Sequence, residues 1–239
     1  LIPILEHIAV YAEKAGDKKR TMEAFEKLYL LTAQAAGGPE KKEAKTDSSR
    51  SLEYLRALTT RANTEDLIQK TVDMLKKIIA DKGPLSEESR EARFYLGELY
   101  FVKRDFAASA RAYKEFIQVY GPKLDANGNV VDPPWRPKSV DDKTLQVYEA
   151  ATRIAHCWYM QAHSQNMIQA YDWILKNLSY QNPYLAEAYY YLAMELAKGD
   201  AGQSKEGKRK LADTLWKTVV HPSLDFDAPN YAKQYHPWV

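Results

Sequence analysis

The residue types that most often carry catalysis meet at one point of the sequence, the dipeptide His156-Cys157. A cysteine nucleophile needs a nearby base and a third group that orients that base. Neighbouring residues on a helix point about 100° apart, so these two side chains cannot easily act on one substrate. Cys157 is therefore interpreted as a small buried apolar residue, which is how free cysteines commonly behave. The sequence predicts no catalytic residue and no enzyme activity.

Possible metal ligands are concentrated in the segment 123–143. Four oxygen-bearing side chains alternate there: Asp125, Asn127, Asn129 and Asp132. A calcium loop of the EF-hand type needs glycine at its sixth position and glutamate at its twelfth, where this chain has Val130 and Arg136. The histidines outside the dipeptide show no ligand spacing: His7, His163, His221 and His236. No glycine-rich phosphate loop follows a strand, so neither a metal ion nor a cofactor is expected.

Charge gives no indication of a nucleic acid partner. Basic and acidic residues nearly balance, with a formal net charge of +2, whereas nucleic acid binding normally needs a basic stripe. The longest apolar runs fall short of the roughly 20 residues that a membrane span needs. A group of acidic residues within 87–98 is predicted to form a solvated helix face, as charged faces usually do: Glu87, Glu88, Glu91 and Glu98.

Helices must position these side chains, because the chain is rich in Ala, Leu, Glu and Lys and has only 10 glycines. The clearest structural unit covers residues 92–122. Its first helix places small and large residues on one stripe (Leu96, Gly97 and Tyr100), and its second helix does the same (Ser109, Tyr113 and Phe116). Arg104-Asp105 marks the turn between them, and Gly121-Pro122 ends the second helix. Two helices joined by so short a turn form a helical hairpin.

The same order of small and large residues returns along the chain. It predicts five hairpins, at about 1–36, 50–83, 89–121, 144–178 and 184–220. These units resemble the tetratricopeptide repeat (TPR), although Arg93 stands where that family often has Trp and Ser109 where it has Ala. The resemblance implies an all-α fold, a right-handed α-solenoid that forms a single domain over 1–239. The alternative is an irregular helical bundle, which does not require small residues in register.

Three segments lie outside the hairpins. Residues 37–49 are polar and begin with Gly-Gly-Pro, so they are predicted to form a flexible connection. The insertion 123–143 contains the turn signal Asn127-Gly128, which favours a small β-hairpin, and Trp135 is expected to cover the contact between the third and fourth repeats. The aromatic-rich tail 221–239 is predicted to cap the last helix pair.

In the TPR family, the first helix of each hairpin lines a concave groove in which peptides bind. The positions that correspond in this chain are Phe94, Glu98, Phe101, Thr152, His156, Tyr159, Tyr190 and Met194. These positions recur every three or four residues, as one helix face requires. They lack the lysine and asparagine clamp that holds the terminal carboxylate of chaperone tails. The resemblance implies that the groove binds another peptide or helix of a partner protein.

The function expected from the sequence is therefore that of a protein-interaction scaffold or adaptor, such as the accessory subunit of a larger assembly. The alternatives are a non-catalytic helical domain of a larger enzyme and, against the charge balance, an RNA-binding repeat. The segment from Tyr113 to Pro122 is also similar to repeats of bacterial cell-envelope assembly proteins, which favours the periplasm or envelope over the cytoplasm. Because the chain opens with Leu1, it is interpreted as a mature chain or as a piece of a longer protein.

Overall fold

The computed structural model of the chain describes residues 1–36, 44–62, 64–131 and 133–198. Within these ranges the backbone is mainly helical, and one isolated antiparallel bridge joins Leu124 and Val130. The helices in these ranges are α1 (Ile2–Lys14), α2 (Lys18–Ala36), α3 (Ala44–Arg61), α4 (Glu65–Lys82), α5 (Glu87–Val102), α6 (Phe106–Tyr120), α7 (Asp142–Met160), α8 (Ser164–Asn177) and α9 (Leu185–Lys198). None of the described helices is both long and apolar enough to cross a lipid bilayer.

Three of the hairpin turns use the same backbone device. Two positions beyond the end of each first helix stands a residue with positive φ, namely Gly16 at 73°, Arg104 at 63° and Ala162 at 57°. The N–H of the next residue then donates to a carbonyl five residues back, at 2.9 Å in all three turns, which is the hydrogen bond of a Schellman motif. In two turns that next residue is an aspartate, Asp17 or Asp105, and its carboxylate accepts an N–H of the following helix at 3.0 Å. One aspartate therefore closes the first helix and caps the second.

The contacts between residues divide the chain into two compact units, Leu1–Ala112 and Tyr113–Val239, and the boundary falls inside α6. In the first unit, α2 packs against α1 and α3, while α5 packs against α4 and α3. Large apolar side chains from successive helices fill its core without exposure, among them Leu28, Leu55, Val72 and Leu75. Ser109 on α6 donates its hydroxyl proton to the Gly97 carbonyl of α5 at 2.8 Å. The buried hydroxyl at this position, where the TPR family has alanine, therefore has a hydrogen-bond partner.

In the second unit, α8 packs against both α7 and α9. Its largest buried side chains are aromatic: Tyr113, Phe116, Tyr148 and Tyr171. Asp141 caps α7 by accepting the Thr144 N–H at 3.0 Å, and this hydrogen bond is the first cause of the lowered pKa of the Asp141 carboxyl. Cys157 is wholly buried in α7, as the sequence predicts.

The insertion after α6 is fastened to α8. Its turn is closed by the Asp125 N–H, which donates to the Asn129 carbonyl at 2.8 Å. The Asn177 side chain accepts the buried Val130 N–H at 3.0 Å, and the Trp173 indole N–H donates to the Gly128 carbonyl at 2.9 Å. The expected hairpin is thus reduced to one bridge, held by two side chains of a neighbouring helix.

Two expectations about the connecting segments differ from the structure. The connection predicted over 37–49 is wrong from Ala44 onward, because α3 already begins there. No proline or glycine interrupts residues 44–61, so nothing in that sequence breaks the helix. Trp135, expected at the contact between the third and fourth repeats, places its ring edge-on against Tyr148 of α7 at 5.7 Å. The predicted cap at 221–239 and the last helix of the fifth hairpin lie outside the described residues.

The predicted solvated acidic face is wrong at Glu91, which is fully buried. Arg56 of α3 donates to both Glu91 carboxylate oxygens, at 3.2 and 3.3 Å. Arg90, itself buried, donates to Glu91 at 3.0 Å and to Glu87 at 2.6 Å. A carboxylate tolerates such burial only when it is paired and hydrogen-bonded, and two arginines provide that pairing here. Glu98 is half-buried.

Candidate functional site

Aromatic side chains of α7, α8 and α9 meet in the second unit. Tyr191 stacks on Tyr171 with ring centroids 5.7 Å apart and planes inclined by 4°. Tyr159 and Tyr190 also meet Tyr191, at 5.3 and 5.5 Å, with their rings inclined to it by 56° and 77°. We call these four residues the tyrosine cluster. It brings two of the predicted groove positions, Tyr159 and Tyr190, onto one central ring.

A histidine–glutamate pair lies beside the tyrosine cluster. His156 of α7 contacts Glu187 of α9 through Nε2 and Oε1, and its ring meets Tyr191 edge-on at 5.6 Å. The Tyr171 hydroxyl donates to the same Glu187 oxygen at 3.4 Å. Burial, and then the Glu187 charge, raise the pKa of Tyr171 well above its ordinary value and raise that of Tyr191 in the same direction. Both hydroxyls therefore stay protonated and uncharged at neutral pH.

The predicted groove residues of this unit differ in how much surface they offer. Tyr190 exposes 53% of its surface and Tyr159 exposes 40%, whereas Met194 and His156 are half-buried. Thr152 is buried, and its hydroxyl donates to the Tyr148 carbonyl at 3.1 Å. Among the groove positions predicted on α7 and α9, the two tyrosines are thus the exposed ones, and Thr152 is buried.

The other three predicted groove residues belong to α5 in the first unit. Phe94 is buried and meets Tyr95 edge-on at 5.8 Å. Phe101 is half-buried against Phe106 at 5.2 Å, and Glu98 is half-buried. This helix therefore offers less aromatic surface than α7 and α9.

Sequence reasoning missed three members of the site: Tyr171, Tyr191 and Glu187. A usable signal was present, because Glu187, Tyr190, Tyr191 and Met194 step along α9 by the spacing of one helix face. The carboxylate of Glu187 was not selected because charged residues on helices usually face solvent.

The chemistry that the site supports is recognition by shape and charge. Rigid tyrosine rings offer large contact area at a small entropy cost, and one carboxylate adds a negative charge. Within the described ranges, no three His, Cys, Asp or Glu side chains are grouped so that they could hold a metal ion. Cys157 of α7 is fully buried, so its thiol is not part of the exposed surface.

Comparison with known proteins yields a fold rather than a family. No family model and no curated protein matches the chain. The nearly identical TPR-like repeats of a kinesin-light-chain-like protein from Podosopora anserina are similar over 98% of this chain and 97% of that chain, with a TM-score of 0.50 and 12% identity. A variant of those repeats covers 91% of this chain and 96% of its own, with 12% identity and a TM-score of 0.49. The first likeness confirms the predicted all-α, TPR-like repeat fold.

Proposed function

We propose that the chain is a non-catalytic protein-interaction module that holds a segment of a partner protein against α7 and α9. The observation that carries this proposal is the exposure of Tyr159 and Tyr190 on a base of packed rings. TPR-like repeats typically act as scaffolds for other proteins, and the fold supports the same role here. The near-neutral charge of the sequence supports a protein partner rather than a nucleic acid.

The packing of the tyrosine cluster suits it to this role. Tyr171 is wholly buried and stacks on Tyr191, which in turn supports both exposed rings. An aromatic residue that is already held in place loses little entropy when a partner covers it. Such anchored tyrosines are frequent among the residues that contribute most to binding.

The half-buried residues at the edge of the cluster extend the proposed surface. Met194 has a flexible thioether side chain that adapts to different apolar partners. His156 adds a polar group that is oriented by Glu187. On α5 we propose a separate contact area at Phe101 and Glu98, which the buried side chain of Phe94 supports from below. On α7 the buried Thr152 has the same supporting role.

The experiment is site-specific photocrosslinking in cells. A photoreactive phenylalanine analogue replaces Tyr190 in one variant and Gln169, an exposed residue of α8, in the matched control. We expect a discrete protein adduct from position 190 and none from position 169. Adducts from both positions, or from neither, would reject the proposed surface.

A second arm tests whether the exposed rings contribute to binding. Tyr190→Ser and Tyr159→Ser should each weaken capture of the crosslinked partner by about tenfold, because truncating an important interface residue costs more than about 1 kcal/mol. Circular dichroism should show unchanged helix content, because both side chains are partly exposed. The proposed role as accessory subunit of a bacterial envelope assembly rests on the sequence resemblance, and the location of the crosslinked partner tests it.

A further inference from the structure

We propose that the partner segment is basic, and that the lysine or arginine side chain it contributes sits on the tyrosine cluster beside Glu187. This inference rests on the proposed function and names the chemistry of the segment that α7 and α9 hold. It is carried by the arrangement of the rings and by the charges around them.

The two exposed rings offer aromatic surface to a cation. Neither ring lies parallel to Tyr191, since the planes of Tyr159 and Tyr190 are inclined to it by 56° and 77°. The face of an aromatic ring carries negative potential, and a cation within about 6 Å of its centroid is attracted to it. Exposures of 40% and 53% leave Tyr159 and Tyr190 accessible to a side chain from outside.

Arginines of this chain already use the same contact. The Arg136 guanidinium lies 5.6 Å from the centroid of the Tyr180 ring in the second unit. In the first unit, the Arg61 guanidinium lies 4.9 Å from the centroid of Phe25. The geometry that we propose for a partner's arginine is therefore one that this chain forms internally.

The charges beside the rings favour a cation over an anion. Residues 185–195 of α9 include two carboxylates, Glu187 and Glu195, and no basic residue. On α7 the Arg153 guanidinium is paired with Glu149 at 3.4 Å, and the His156 ring is engaged by Glu187. Because Tyr171 and Tyr191 remain protonated, the hydroxyls add no charge of their own. An acidic segment would be repelled by these two carboxylates, whereas the basic residue of α9, Lys198, is the last residue of the helix.

A first experiment uses small probes and the whole chain. The tyrosines are labelled with ¹³C at the ring Cε positions, and N-acetyl-arginine amide is titrated against N-acetyl-norleucine amide, which has a long side chain without charge. We expect saturable shifts of the Tyr159 and Tyr190 signals with the arginine probe and much smaller shifts with norleucine. Equal shifts with both probes would reject the inference in favour of an apolar segment, and larger shifts with N-acetyl-aspartate amide would reject it in favour of an acidic one.

A second experiment separates the ring's electrostatics from its apolar surface. Tyr190→Phe keeps an aromatic face, whereas Tyr190→Leu keeps apolar bulk and removes that face. We expect the arginine probe to bind Tyr190→Phe as it binds the unaltered chain, and to bind Tyr190→Leu about two- to fivefold more weakly. Glu187→Gln should weaken the arginine probe and leave the norleucine probe unchanged. If Phe and Leu variants bind the arginine probe equally, the cation is not on the ring.

The outcomes distinguish a failure of this inference from a failure of the proposed function on which it rests. A discrete adduct at position 190 together with no preference for arginine leaves the interaction surface in place and overturns its basic ligand. An arginine preference without any adduct overturns the protein partner, because the probe then marks a site for some other cation.

Discussion

The side chain of Tyr148, a residue of α7, is fully buried, and its hydroxyl donates to the Tyr180 carbonyl oxygen at 2.7 Å. Burial is the first cause that raises the pKa of this phenol, to about 12, and the neighbouring Tyr180 raises it further. In an unfolded chain the same group titrates near pH 10. The native state therefore keeps this proton over a range of pH in which the unfolded chain has already lost it.

This difference predicts a loss of stability at alkaline pH. Below pH 10 the folded and unfolded states both hold the proton, so the full contribution of Tyr148 to the free energy of unfolding is present. Between pH 10 and about 12 that contribution is lost, because the unfolded chain ionises this phenol while the folded chain still keeps it protonated. Tyr148→Phe should cost about 1 kcal/mol at pH 8, where it removes one hydrogen bond. That cost should shrink as the pH rises from 9 to 11 in urea titrations. A cost that stays constant over this range would show that Tyr148 does not titrate as described.

At the residue scale, sequence reasoning was sound for apolar positions and weak for buried ions. Cys157 is buried as expected, and so are Tyr113 and Phe116 on the second helix of their hairpin, because the spacing of apolar residues indicates the inward face of a helix. The burial of Glu91 was not predicted because one of the two arginines that pair with it, Arg56, lies on another helix, 35 positions away. Spacing within one helix carries no information about a partner that only folding brings near.

The insertion after α6 shows how one side chain positions a whole element. Asn177, buried at the end of α8, accepts the Val130 N–H at 3.0 Å, donates to the Trp173 carbonyl at 2.9 Å, and accepts the Trp135 N–H through its own carbonyl at 2.8 Å. The bonds to Val130 and Trp135 hold the insertion on both sides of Pro133-Pro134. The insertion is thereby an ordered part of the second unit.

Removing this side chain should loosen the insertion at Val130. Asn177→Ala leaves the buried Val130 N–H without its acceptor, which costs about 1–3 kcal/mol. Hydrogen exchange of the Val130 amide should accelerate by at least tenfold, while amides in the middle of α8 keep their protection. Asn166→Ala, a half-buried residue of the same helix, is the matched control and should leave Val130 unchanged. If Val130 stays protected in Asn177→Ala, the insertion is held by other contacts.

Element boundaries were predictable where the sequence carries turn chemistry. Gly16-Asp17 and Arg104-Asp105 mark two turns correctly, because the positive φ residue and the capping aspartate are adjacent in the sequence. The start of α3 at Ala44 was not predicted, since a run of Lys, Thr, Asp and Ser is as compatible with a helix as with a loop. For the candidate site, the resemblance to the TPR family indicated Tyr159 and Tyr190 as groove positions, but it did not indicate that Phe94 and Thr152 are buried.

Across the whole molecule, the first helices of successive hairpins are joined by polar contacts within each unit. In the first unit Glu6 accepts the Tyr54 hydroxyl at 2.6 Å, Glu13 accepts from Arg61 at 2.9 Å, and Glu91 accepts from Arg56. In the second unit the corresponding contact is the His156–Glu187 pair. Repeat arrays gain stability from such nearest-neighbour terms, so a lost contact should act locally.

Glu91→Ala tests this locality. The substitution leaves Arg90 buried beside an empty acceptor position and should destabilise the first unit by about 3 kcal/mol. Native-state hydrogen exchange should accelerate in α3 and α5, while α7 and α8 keep their protection. Glu88→Ala, at a half-buried position on the same helix, is the control and should cost less than about 1 kcal/mol. An equal loss of protection in all four helices would mean that the two units unfold together.

The lone cysteine of the sequence, Cys157, lies with no solvent exposure inside α7. A thiol reacts with an alkylating reagent only when solvent reaches it, so labelling must wait until α7 separates from its neighbours. The alkylation rate of the unmodified protein therefore reports how often α7 opens. Mass spectrometry measures this rate without any added dye, and a partner that binds to α7 and holds it closed would lower the rate.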